Sequence, residues 1–268
     1  MNKKDKIMKR LQEHYDEVEK MGYEIVGVFL QGSQNYELDH DGSDIDSKAI
    51  LLPTFEHFVL RDKEVSTTHV MPNNEHVDLK DIRLMFESFK KQNVNFVEIL
   101  FTEYKIMNPK YTELYQPMFD NAESIARYNN FAGVNCIAGM AMEKFKALEH
   151  PYPATMDKIK KYGYDGKQLS HELRLLEFLG RYIKGEPYAD CLISKEREFL
   201  IDVKTNKMYN LDMARTVGKY TLDCINILKK KYMEENQVVV NKEVERLMYN
   251  VLVNIMRHSF RAELGIKT

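Results

Sequence analysis

Cysteine is scarce: Cys136, Cys191 and Cys224 are the only three in 268 residues, odd in number and far apart. They form no CxxC pair, which excludes the common zinc-ribbon and dithiol patterns and leaves them as small buried apolar residues. Long apolar runs are missing as well, and no stretch approaches the ~20 residues of a membrane-spanning helix. The opening MNKKDKIMKRLQEHYDEVEK has no apolar core and no small-residue cleavage site, so it does not read as a secretory signal. The expected location is the cytoplasm, with no membrane partner. Neither sign of charge is in excess: 39 Lys and Arg face 41 Asp and Glu, a net charge of −2 that gives no global attraction to nucleic acid. Basic runs exist locally, at Lys158, Lys160, Lys161 and Lys167 and at Lys229–Lys231, and such runs are commonly solvated helix faces. Repeats and low-complexity segments are absent. What is present, 44% hydrophobic and 30% charged residues, suits a globular protein of one large or two ordinary domains.

Apolar spacing predicts a helix over residues 4–21, where Ile7, Leu11, Tyr15, Val18 and Met21 recur. YEIVGVFL then reads as a buried strand, SDIDSKAILL as a second, and EVSTTHVM and EHVDL as two more joined by the turn PNN. Asp81 is placed to cap a helix running to about Gln92, and NFVEILF continues as a short apolar helix. After Asn108-Pro109 strand signals fade, and helical patterns cover about 121–149, 166–184, 209–235 and 241–263. The expected class is α+β: a domain over 1–108 with a mixed sheet and flanking helices, then an all-helical domain over 109–268.

One stretch, LQGSQNYELDHDGSDIDSKAI, carries Asp39, Asp41, Asp44 and Asp46 within eight residues. A calcium loop with Gly42 at its sixth position would use Glu37, Asp39 and Asp41, but its twelfth position is then Lys48, a cation where a bidentate carboxylate belongs. Asp39 and Asp41 read as turn chemistry in LDHDG. Asp44 and Asp46 differ. They stand at i and i+2 of an apparent strand, so both point to one face while Ile45 enters the core. Two carboxylates on one face repel unless a cation sits between them, and divalent ions there would make a phosphoryl-transfer centre. Gly32 and Ser33 end the preceding strand, where backbone N–H groups and a hydroxyl can cradle an anion. Two-metal sites usually use a third carboxylate. Alternation in EHVDL favours Asp78, with Asp81 the rival that a capping role already explains.

The order strand, GS, eleven residues from Ser33 to Asp44, then DxD, then a lone Asp resembles the DNA polymerase β-like nucleotidyltransferase superfamily. GSQNY, SDIDSKAI, NVNFVEILF and GYDGKQLSHELRLLEFL together resemble the predicted nucleotidyltransferases associated with RNA repair, also found in phages. The resemblance spans about residues 27–190, and a proline common in that family is replaced here by Val94. It implies that Asp44, Asp46 and Asp78 hold two Mg²⁺ ions, with Mn²⁺ a substitute, and that Gly32 and Ser33 grip the triphosphate of an NTP, ATP first. A hydroxyl, foremost an RNA 3′ end, then attacks the α-phosphate and pyrophosphate leaves. Glu98 matches the family pattern without a physical role of its own. Gln34, Asn35 and Tyr36 are open between nucleotide contact and capping or packing.

In GKQLSHELRLLEFLGRYIKG, Lys167, His171, Arg174 and Arg181 share one helical stripe, with Leu169, Leu173, Leu176 and Ile183 opposite. That pattern alone fits a solvated face equally well. The resemblance makes Lys167, His171 and Arg174 triphosphate ligands, supplied by the helical domain as it closes over the nucleotide. The same chemistry on a protein or small-molecule hydroxyl is the alternative. A catalytically silent, antitoxin-like regulatory module is another.

Overall fold

Asn2 caps the first helix by accepting the Asp5 N–H at 2.8 Å, and Ile7, Leu11 and Val18 give that helix a buried face. The computed structural model describes residues 2–40 and 42–266. Its elements run α1 (Lys3–Lys20), β1 (Glu24–Leu30), β2 (Ser47–Leu52), α2 (Phe55–Val59), β3 (Ser66–Val70), β4 (His76–Asp81), α3 (Ile82–Lys90), α4 (Val94–Val97) and β5 (Lys105–Met107). Helices follow: α5 (Thr112–Asp120), α6 (Ala122–Ala126), α7 (Asn130–Ala147), α8 (Met156–Tyr162), α9 (Gly166–Tyr182), α10 (Tyr188–Leu192), α11 (Arg197–Lys204), α12 (Leu211–Glu235) and α13 (Lys242–Glu263). The class is α+β as expected, 60% helical with one five-stranded mixed sheet.

The chain divides into two compact units. The first comprises Met1–Asn35, Gly42–Tyr128 and Val240–Thr268 and holds the sheet, in the order β3-β4-β2-β1-β5. The pair β2 and β4 is parallel, and the other pairs are antiparallel. Period-two alternation divides the side chains between two faces. Ile25, Val28, Leu30, Ile45, Ala49, Leu51, Val77 and Leu79 pack with Ile7, Leu11 and Val18 of α1. On the other face Phe29 meets Tyr115 and Phe119 of α5, with ring centroids 6.1 and 6.2 Å apart. Helix α13 belongs to this unit: Phe260 packs on Phe55 and Phe58, and His258 on Tyr111. The boundary expected after residue 108 therefore differs from the division seen, because aromatic contacts hold α5 to the sheet and α13 to α2 and Tyr111.

The second unit comprises Tyr36–Asp41 and Asn129–Val239. Its central helix is α9, which packs on α7, α10, α11 and α12. Two glycines permit close approach. A Cβ on Gly133 would lie 2.6 Å from the Tyr182 hydroxyl, and one on Gly166 would lie 2.3 Å from the Val203 carbonyl oxygen.

Several expected elements differ in extent. The second strand starts at Ser47 rather than Ser43, because Asp46 bridges to β4 through its side chain, Oδ1 accepting the His76 N–H at 2.9 Å. The helix expected over 121–149 is two, since Asn129 caps α7 by accepting the Ala132 N–H. Asp81 does cap α3, accepting the Arg83 N–H at 2.8 Å. Asp39 lies in irregular backbone beyond the turn Asn35–Glu37, and the turn role expected of Asp41 falls outside the described residues. Cys191 is buried and Cys136 and Cys224 are half-buried, and none of these three forms a disulfide.

Candidate functional site

Strand β1 ends at Leu30, and the chain turns at once into a single 3-10 turn, Gly32–Gln34. Gly32 has φ +79°, and nothing lies within 4 Å of the Cβ it lacks. The turn thus uses glycine for its conformation and leaves open space above it. The Gly32 N–H points at Glu98, a buried residue, and donates to its Oε1 over a long 3.4 Å. Asn35 fastens the turn from below: its Nδ2 donates to the Leu30 carbonyl at 2.7 Å and its Oδ1 accepts the Thr102 hydroxyl at 2.8 Å. Asn35 therefore has a structural role in holding the turn. Glu98 supports the Gly-Ser turn, a role invisible in sequence because the two lie 66 residues apart.

The acidic pair lies at the same end of the sheet. Leu30 is the register partner of Ser47, and the Gln31 N–H donates to the Asp46 carbonyl at 3.1 Å. Asp46 is thus bonded directly to the residue before Gly32. Ile45 is buried between exposed Asp44 and half-buried Asp46, the alternation expected. Asp78 lies where alternation puts it, between buried Val77 and Leu79, but its oxygens are engaged. Lys48 Nζ donates to Oδ2 at 2.9 Å, and the Thr68 hydroxyl donates to Oδ1 at 2.7 Å. Burial works to raise the Asp78 pKa, but the Lys48 charge and these hydrogen bonds outweigh it and hold the group below its ordinary value. Burial lowers the pKa of Lys48, against the pull of Asp78, and its ammonium also lies 4.1 Å from the Phe96 ring centroid.

Asp44 and Asp46 fit a hard divalent cation in donor type, both being carboxylates beside an open turn. Asp78 stands level with Lys48, two residues past Asp46, and is already ion-paired. Among the described residues no group of three His, Cys, Asp or Glu side chains is gathered to hold a metal ion. The residue on β4 that does meet Asp46 is His76, whose Nδ1 lies 3.3 Å from Oδ1.

In the second unit the predicted stripe of α9 is divided. Lys167 is exposed and His171 half-buried, but Arg174 is only 2% exposed, its guanidinium 3.7 Å from the centroid of the Tyr36 ring. The expectation of one packed face and one face showing the cations is corrected here. Helix α9 is surrounded, and its buried residues include Leu169, Glu172, Arg174, Leu175, Phe178 and Leu179. Arg181 is taken up by Glu186 at 2.7 Å and the Ile193 carbonyl at 2.8 Å. Lys204 of α11 donates to the Leu38 carbonyl at 2.8 Å. Burial, then the charges of Arg174, Lys144, Lys167 and Lys204, hold His171 well below its ordinary pKa. Lys144 is lowered by burial and by Lys167 and Arg174. The lowered pKa values of His171 and Lys144 reflect burial together with the cations gathered around them. Lys144 and Lys204 escaped the sequence reading, since they stand on other helices.

A cavity of about 690 Å³ opens at the far end of the sheet, lined by Glu24, Leu52, Asp81, Arg83, Lys110 and Glu263 among others. It is separate from the Gly-Ser turn and Asp46, which stand at the opposite strand ends. No known protein-family model matches the chain, and comparison with curated proteins finds no match.

Proposed function

We propose that the protein transfers a nucleoside monophosphate from an NTP to a hydroxyl, releasing pyrophosphate. The observation that carries this reading is the bond between Gln31 and Asp46, which sets a glycine-serine turn with open space beside an Asp-x-Asp pair. Gly32 and Ser33 would hold phosphate oxygens through backbone N–H groups and the hydroxyl. Asp44 and Asp46 would hold Mg²⁺ or Mn²⁺, which supplies charge neutralisation for the triphosphate. Asp78 would serve only after Lys48 lets it go, so it ranks below the pair. In the second unit Lys167 and His171, with Lys144, suit the phosphates of a nucleotide or of a nucleic-acid backbone. An RNA 3′ end is the acceptor proposed first, on the resemblance of the motifs to RNA-repair nucleotidyltransferases.

The test is label transfer from each α-labelled NTP to total RNA with Mg²⁺ or Mn²⁺. The expected outcome is labelled RNA with the native chain and at least ~10³-fold less with Asp44→Asn/Asp46→Asn, the scale of losing a main electrostatic group. Label on protein instead would move the acceptor. One observation favours a second reading, a regulatory binding module: Asp78 and Arg174 are already engaged by groups of the chain itself. In that case Asp44→Asn keeps the full biological effect and no label moves.

A further inference from the structure

Behind the acidic pair, on the face of the sheet covered by α1, sits a closed polar network. His14 of α1 is 0% exposed, and both ring nitrogens are bonded. Nδ1 lies 2.8 Å from the Ser47 hydroxyl, and Nε2 lies 3.0 Å from Glu75 Oε2. Glu75 also accepts from Arg10 Nε at 2.8 Å. Glu75 is held below its ordinary pKa, since hydrogen bonds from Asn73, Arg10 and His14 outweigh the opposing effect of burial. A carboxylate only accepts, so His14 Nε2 carries the proton and donates to it. Burial lowers the His14 pKa against the pull of Glu75, and a neutral ring with its proton on Nε2 accepts the Ser47 hydroxyl proton at Nδ1.

The network resembles a serine–histidine–carboxylate relay, yet Ser47 is 0% exposed and can meet no substrate. Its place in the chain suggests another use. Ser47 follows Asp46, and Glu75 precedes His76. In a pleated strand, neighbours point to opposite faces. Fixing Ser47 and Glu75 from the α1 side therefore fixes Asp46 and His76 on the other. Those two are joined where the His76 N–H meets the Asp46 carboxylate at 2.9 Å. A core position filled by a histidine with two polar partners is a costly choice where Leu or Phe would pack, because each partner left unmet is penalised.

We propose that His14 is a positioning residue: it clamps the starts of β2 and β4 together through Ser47 and Glu75, and so aims the Asp46 carboxylate. Its functional meaning rests on reading Asp44 and Asp46 as a metal pair, but its geometry does not. The test uses the full chain with His14→Phe, which keeps a ring and removes both bonds, and Ser47→Ala, which deletes one buried hydroxyl should the first variant fail to fold. The first readout is the His76 backbone amide resonance in metal-free protein, with Asp46→Asn as reference. The second is Mn²⁺ affinity by calorimetry.

In both variants the His76 amide moves toward its position in Asp46→Asn, and Mn²⁺ binds at least ~10-fold more weakly, as for lost outer partners of a metal ligand. His14→Gln, whose amide can both donate and accept, returns both readouts toward the native values. A His76 amide unmoved in His14→Phe and Ser47→Ala overturns the proposal. So does unchanged Mn²⁺ affinity in a variant whose amide has moved. If the native chain binds no Mn²⁺ while the amide moves as expected, the clamp stands and the metal reading falls.

Discussion

A lysine ammonium that is 1% exposed needs a partner, and Lys48 has Asp78 for the charge and Phe96 for the remaining face. Removing one member of such a pair strands the other. Asp78→Asn is expected to cost about 1–3 kcal/mol in urea unfolding, less than for a fully buried pair because the Asp78 side chain is 36% exposed. Lys48→Met keeps the stem and removes the charge, so it should restore stability when added to Asp78→Asn. In the labelling assay Asp78→Asn should fall short of the loss seen for Asp46→Asn; equal losses would give Asp78 full rank in the site. Glu172 is the opposite case, a carboxyl 0% exposed with neither oxygen bonded. Burial pushes its pKa up to about 8 from an ordinary 4.5. The folded state therefore holds this proton more tightly than the unfolded one. The stabilisation is complete below pH 4.5 and is lost as pH rises to about 8, opposite in sign to a salt-bridged carboxylate. Glu172→Gln, compared with the native chain in urea unfolding from pH 5 to 8.5, should remove a downward slope worth up to a few kcal/mol.

At the scale of elements, the sequence was most legible where a strong period met a cap. The helices α1, α9, α12 and α13 and the strands β1 and β4 lie within a few residues of their expected places, because each carries one uninterrupted apolar pattern. The pair Asp44 and Asp46 around Ile45 was legible for the same reason. Short elements were not. Helices α2, α5, α8, α10 and α11 and strand β5 were missed, being three to nine residues long and held by tertiary contacts. The partners of Gly32, Asp78 and Arg174 were hidden too, since Glu98, Lys48 and Tyr36 stand 30 or more residues away in sequence. Periodicity gives the face of a helix but not how many neighbours surround it, which is why the burial of Arg174 was not legible. Gly166 shows how such neighbours constrain an element. Its missing Cβ would lie 2.3 Å from a backbone oxygen at the end of α11, which no side-chain rotation relieves. Gly166→Ala should cost about 1–3 kcal/mol, the usual cost of overpacking. Gly139→Ala, where nothing lies within 4 Å of the added atom, should be neutral or stabilising by thermal unfolding.

At the scale of the whole chain, two returns decide which residues fold together. The segment Tyr36–Asp41 leaves the sheet unit, and Tyr36 and Leu38 join the helical unit through Arg174 and Lys204. Residues 240–268 return in the other direction, after the whole helical unit, to the unit that holds the sheet. The junction is a backbone bond, Asn241 N–H to the Tyr128 carbonyl at 2.9 Å, and Asn241 then caps α13 by accepting from Glu243 and Val244. Along α13, Tyr249 accepts a hydrogen bond from Lys90 at 2.7 Å, and Phe260 covers Phe55 and Phe58. Glu263 accepts the Phe55 N–H at 2.8 Å. Helix α13 thus touches α2, α3 and α5, so its loss should be felt in the sheet unit. A chain ending at residue 239 would expose the aromatic face of Phe55 and Phe58 and remove the buried Val244, Met248, Val251 and Ile255. At roughly 1.5–3 kcal/mol per buried large apolar side chain, that loss is comparable with the whole stability of a typical domain. Amide hydrogen exchange on the truncated chain should therefore accelerate first and most in α2, α3, α5 and the sheet, while α7, α9 and α12 keep their protection. Acceleration concentrated in α7, α9 and α12 would instead place α13 with the helical unit.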